Sequence, residues 1–105
     1  MIGAGTINHV ACHVLDCKVT GKAPDTEGRP FICAKHMGVC NSVTLTAHAN
    51  AAANLIAHRA GVADRSLTVR QRADHLGQAR VYERIEAKAW WSLHDQVAAK
   101  FEVRS

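Results

Sequence analysis

The sequence predicts an α+β fold, mainly α: a small β-hairpin head followed by an antiparallel helical hairpin. Glycine and proline punctuation separates a first third rich in Cys and His from a remainder in which no proline interrupts Thr68 to Phe101. Apolar residues in that remainder recur at intervals of three and four, the period of a helix face. The chain has 105 residues, of which 18 are alanine and only five aromatic, so large core-filling side chains are scarce. That length suits one domain and excludes a two-domain enzyme.

Thirteen Lys and Arg against nine Asp and Glu give a formal charge of +4. It divides into +1 for residues 1–58 and +3 for residues 59–105, which permits nucleic-acid binding without diagnosing it. The Ala-rich stretch from Ala47 to Ala60 contains His48, Asn50, Asn54, His58 and Arg59, so no membrane span and no membrane partner are expected. No Lys or Arg precedes Lys18, and Asn8, His9, His13 and Asp16 interrupt the N-terminal apolar residues, unlike a secretory signal. A cytoplasmic location is therefore expected, with the four cysteines as metal ligands or buried thiols rather than disulfides.

Cys12 and Cys17 are separated by four residues, and fifteen residues later Cys33 and His36 are separated by two. Two close pairs joined by an excursion suit a tetrahedral zinc site, because each pair converges locally and the excursion brings the pairs together. The excursion reads as a β-hairpin with arms over Lys18–Thr20 and Arg29–Ile32, and Gly21, Pro24, Asp25 and Gly28 as turn residues. A helix beginning at Cys33 carries His36 on the same face. Cys40, His9 and His13 are alternative ligands; Cys40 continues the face of Cys33 and His36, although Gly38 favours a break before it.

This arrangement of knuckle, hairpin and ligand-bearing helix resembles the treble-clef zinc modules over about residues 10–60. It also resembles small uncharacterised zinc proteins of phage and bacterial genomes. The resemblance implies Cys12 and Cys17 as knuckle ligands, Cys33 and His36 as helix ligands, and one structural zinc per chain. Three thiolates and an imidazole saturate such an ion, so no catalytic residue is assigned and no enzyme is expected. Treble-clef nucleases carry a general-base histidine on the hairpin, and residues 18–32 contain none. The His-x-Glu and Cys-x-x-Cys sequences of nucleobase deaminases are absent as well.

The zinc-binding head is assigned to residues 1–42 and the helical hairpin to 43–105, packed together as one domain. The first long helix is expected between caps at Asn41, Ser42 or Thr46 and a stop at Gly61, with Leu45, Ala49, Ala52, Ile56 and Ala60 as its apolar stripe. His48 and His58 read as solvated or hydrogen-bonded residues. Thr68 and Gln71 have the spacing of a capping box for the last helix. Its stripe of Trp90, Leu93, Val97 and Phe101, extended by Tyr82 and Ile85, is the expected packing face.

Adjacent helical residues diverge by about 100°, so Trp91 must leave the stripe that Trp90 joins. It falls beside Arg80, Arg84 and Lys88, where it either covers the zinc module or the hairpin's edge or serves as an aromatic anchor among cations; the basic residues in turn read either as a contact surface or as a solvated face with ion pairs to Asp74, Glu83 and Glu86. The leading expectation is a noncatalytic binding or regulatory protein, encoded by a phage or mobile element, that recognises a protein through this helix. A DNA- or RNA-binding accessory protein, a structural assembly or virion subunit forming homo-oligomers, and a metal-dependent nuclease are the alternatives.

Overall fold

The computed structural model describes residues 9–24, 26 and 28–104. Among them the order is β1 (His9–Ala11), β2 (Thr20–Lys22), α1 (Ala34–Met37), α2 (Ser42–Ala63) and α3 (Val69–Lys100). The fold is mainly helical with one two-stranded sheet, as the sequence predicts. Two compact units are distinguished: Met1–Cys40 with His94–Ser105, and Asn41–Leu93.

In the first unit, β1 and β2 pair antiparallel with His9 opposite Lys22 and Ala11 opposite Thr20. The hairpin thus encloses the Cys12–Cys17 knuckle instead of lying after it. Residues 29–32 form no strand, and Asp25 lies outside the described residues. Pro30 has no N–H to give a ladder, while the Phe31 carbonyl accepts from His13 N–H at 2.7 Å. Val14 and Val103 form an isolated antiparallel bridge, flanked by Leu15 N–H to Glu102 O and Arg104 N–H to His13 O, each 2.8 Å. The segment after α3 therefore pairs with the knuckle. Cys12, Val14, Ile32, Cys33, Cys40 and Val97 are buried here.

In the second unit, Asn41 caps α2 by accepting from Val43 N–H at 2.8 Å. The helix continues through Gly61 to Ala63, then Asp64 accepts from Ser66 N–H and Oγ–H and opens the turn. Those two bonds hold the Asp64 carboxyl below its usual pKa. The capping box forms reciprocally: Gln71 N–H donates to Thr68 Oγ1 at 3.1 Å, and Thr68 N–H to Gln71 Oε1 at 2.9 Å. From it α3 runs unbroken across Gly77.

The two long helices pack through a seam that differs from the expected alanine stripe. His48, Ala51, Leu55, His58 and Val62 face α3, whereas Ile56 is 69% exposed. Both stripes are poor in large side chains, so polar pairs choose between them. His48 Nε2 meets Glu86 Oε2 at 2.7 Å, His58 Nδ1 meets His75 Nδ1 at 2.9 Å, and Arg72 Nε donates to Val62 O at 2.8 Å. His58 also stacks on Tyr82 with centroids 5.5 Å apart. These partners fall in antiparallel order, and hydrogen bonding occupies His48 and His58.

Candidate functional site

Cys12 follows β1 and Cys17 ends a tight knuckle, in which Cys17 N–H donates to Val14 O at 3.1 Å and Asp16 adopts a φ of 66°. Aspartate tolerates this left-handed conformation better than most residues. Cys33 stands at the N-cap of α1, and its N–H donates to Cys12 Sγ at 3.3 Å. His36 lies one turn along α1. Met37 and Gly38 bond back to the carbonyls of Cys33 and Ala34, so the turn closes before Cys40.

The donor atoms of Cys12, Cys17, Cys33 and His36 lie within 4.8 Å of one another and could hold a metal ion. Cys12 Sγ is 3.6 Å and Cys33 Sγ 3.2 Å from His36 Nδ1, and Cys17 Sγ is 4.0 Å from Cys33 Sγ. A tetrahedron with metal–sulfur bonds of about 2.3 Å and metal–nitrogen bonds of about 2.05 Å has edges of about 3.8 Å between sulfurs and about 3.6 Å from sulfur to nitrogen. The donor set fits an ion of that kind. No disulfide forms, since a bonded sulfur pair requires about 2.05 Å.

The alternative donors stand elsewhere. His9 is exposed on β1. The His13 ring lies against His94, with centroids 5.3 Å apart; burial, then the charges of His94 and Arg104, lower its pKa. Cys40 is buried, which pushes its thiol pKa up. Among the described residues none of these three joins a group of three or more donors.

Residues after α3 complete the surroundings of the cluster. The Arg104 guanidinium donates to Cys12 O from Nε at 3.1 Å and to Cys17 O from Nη2 at 3.3 Å. The Phe101 ring meets the His36 imidazole edge-on at 4.8 Å. Phe101 is thus not simply the end of a helical stripe. Nothing in the local sequence around Phe101 or Arg104 signals these contacts.

The second candidate region is the exposed face of α3. Arg80, Arg84, Lys88 and Trp91, spaced by four, four and three, all lie at the surface, with Trp91 42% exposed. Trp90 is buried, and the two indoles meet edge-on with centroids 4.9 Å apart. Glu83 and Glu86 reach α2, to Arg59 at 3.8 Å and to His48 at 2.7 Å. Arg80, Arg84 and Lys88 consequently make no ion pair among the described residues.

Among the described residues no helix is long and apolar enough to cross a membrane. No protein-family model matches the chain, and neither a curated protein nor a solved structure is significantly similar to it.

Proposed function

We propose that this chain is a noncatalytic binding or regulatory protein, in which a structural zinc ion fixes the first unit and the exposed face of α3 recognises a protein partner. The observation that carries the reading is the destination of the acidic residues on α3. Because Glu83 and Glu86 are drawn to α2, the charges of Arg80, Arg84 and Lys88 are left for an outside partner beside Trp91. Arg and Trp are also the side chains most often found at the energetic centre of interfaces.

Zinc is favoured by the donor set, since thiolates with an imidazole in tetrahedral geometry suit it well. Bound zinc would supply folding free energy. Four protein donors leave no coordination position for a water molecule, which favours a structural role over hydrolysis.

The test recovers cellular partners on the intact protein, with and without nuclease, and compares Trp91→Ala with a triple Arg80→Glu, Arg84→Glu, Lys88→Glu variant. The expected outcome is recovery that survives nuclease and is lost in both variants. Recovery abolished by nuclease would replace the protein partner with DNA or RNA. Recovery unchanged in both variants would remove α3 as the recognition surface.

A further inference from the structure

Beside the cationic stripe, within the second unit, lies an open groove of about 430 Å³ between the start of α2 and the middle of α3. Its apolar walls include Val43 and Ala47 from α2 and Ile85 and Ala89 from α3, and Lys88 stands on its rim. Val43 is 74% and Ile85 45% exposed. Two large aliphatic side chains are therefore left in water beside two alanines that allow close approach.

Among the described residues, the only charged side chain lining the groove is that of Lys88. No carboxylate lines it, and the first turn of α2 contains no acidic residue. The N-terminus of α2 contributes the partial positive charge of a helix dipole. Lys88 adds a full charge at the rim, and Arg84 follows one turn away on the same side of α3.

We infer that the groove of Val43, Ala47, Ile85 and Ala89, bordered by Lys88 and Arg84, receives an amphipathic acidic helix of a protein partner. This inference rests on the proposed role of α3 and adds the chemistry of what docks there. The partner's apolar side chains fill the groove in the manner of helix-in-groove recognition, and its Asp or Glu side chains meet Lys88 and Arg84. A nucleic-acid backbone satisfies the cations but leaves the aliphatic walls in water. The groove lies between helices, where no strand edge is offered to an extended peptide, so a third helix packing on the pair is the geometry that fits.

The experiment selects binders from a displayed library of helical peptides with randomised surface positions, using the intact metal-bound protein, with an oligothymidylate as a polyanion control. The expected peptides carry Leu, Ile or Phe at i, i+3 or i+4 and i+7, flanked by Asp or Glu. Their affinity falls by about tenfold or more on Ile85→Glu and on Lys88→Glu, both at exposed positions, with thermal melting of each variant measured alongside. Selected peptides without acidic flanks, or peptides bound equally well by Ile85→Glu, overturn the inference. So does binding of the oligothymidylate with no peptide selected, or a dimer in light scattering that Ile85→Glu dissociates, which assigns the groove to a second copy. Cellular-partner binding lost in Trp91→Ala and Arg80→Glu but untouched by Ile85→Glu removes the acidic helix alone and leaves α3 as the recognition surface.

Discussion

Arg104 donates from Nε to the carbonyl of Cys12, 92 positions away in the chain, and its Nη2 reaches the carbonyl of Cys17. One planar guanidinium therefore spans both ends of the knuckle that presents two of the four donors. Bonds from a charged donor are worth more than neutral ones, and the fork geometry of arginine allows two at once. Arg104→Ala should lower the stability of the first unit by about 2 kcal/mol. Metal retention against a chelator should weaken by roughly tenfold, because groups that orient ligands tune the affinity of the site. Arg104→Lys should recover less than half of that loss, since an ammonium lacks the fork. Chelator competition on the three proteins measures the effect; equal retention in all three would deny the guanidinium this positioning role.

Cys33 and Cys40 should behave oppositely. Cys33 lies within bonding range of the other donors, and its sulfur is 3.2 Å from His36 Nδ1. Elemental analysis should find one zinc per chain in the unmodified protein and none in Cys33→Ser, which should also lose the ordered structure of the knuckle. Cys40 is outside the donor group, and burial raises its thiol pKa. Its thiolate fraction at neutral pH is reduced, so alkylation should be slow until the protein is unfolded. Cys40→Ser should retain the metal, and loss of metal from that variant would redraw the ligand set.

Gly61 and Gly77 predict opposite signs for one substitution. Both lie inside long helices, where alanine is intrinsically better by about 1 kcal/mol. At Gly77 an added methyl meets open space, so Gly77→Ala should stabilise by up to about 1 kcal/mol. At Gly61 the methyl would overlap the His75 ring, which the His58 hydrogen bond holds in the seam. Gly61→Ala should cost roughly 1–3 kcal/mol, the usual penalty of overpacking. Urea or thermal unfolding of both variants checks the contrast, and a stabilised Gly61→Ala protein would show that the seam yields.

The adjacent indoles should separate stability from binding. Trp90→Ala removes a buried side chain and should cost about 3–5 kcal/mol. Trp91→Ala removes a ring that is 42% exposed and meets the Trp90 indole edge-on, so its cost should be smaller, about 1 kcal/mol. Partner binding should nevertheless fall by more than about 1 kcal/mol in Trp91→Ala. Melting and binding measured on the same variant decide it, and normal binding by a stable Trp91→Ala protein would remove the anchor.

By itself the sequence determined what local spacing and chemistry dictate. Cys33 and His36 lie one helical turn apart, Cys12 and Cys17 span a short knuckle, and two close pairs of such donors mark a group that could hold a metal ion. The Thr68 and Gln71 caps and the divergence of Trp91 from Trp90 follow from positions three and one residues apart. Tertiary structure decided the rest through contacts between distant residues. The sheet pairs β1 with β2, the Phe31 carbonyl accepts from His13 N–H, and Arg104 and Phe101 join the cluster from beyond the end of α3. The α2 seam was chosen in the same way. Both stripes of α2 are poor in large side chains, so periodicity does not rank them, and the seam that forms is the one in which His48 pairs with Glu86 and His58 with His75, with Ile56 outside.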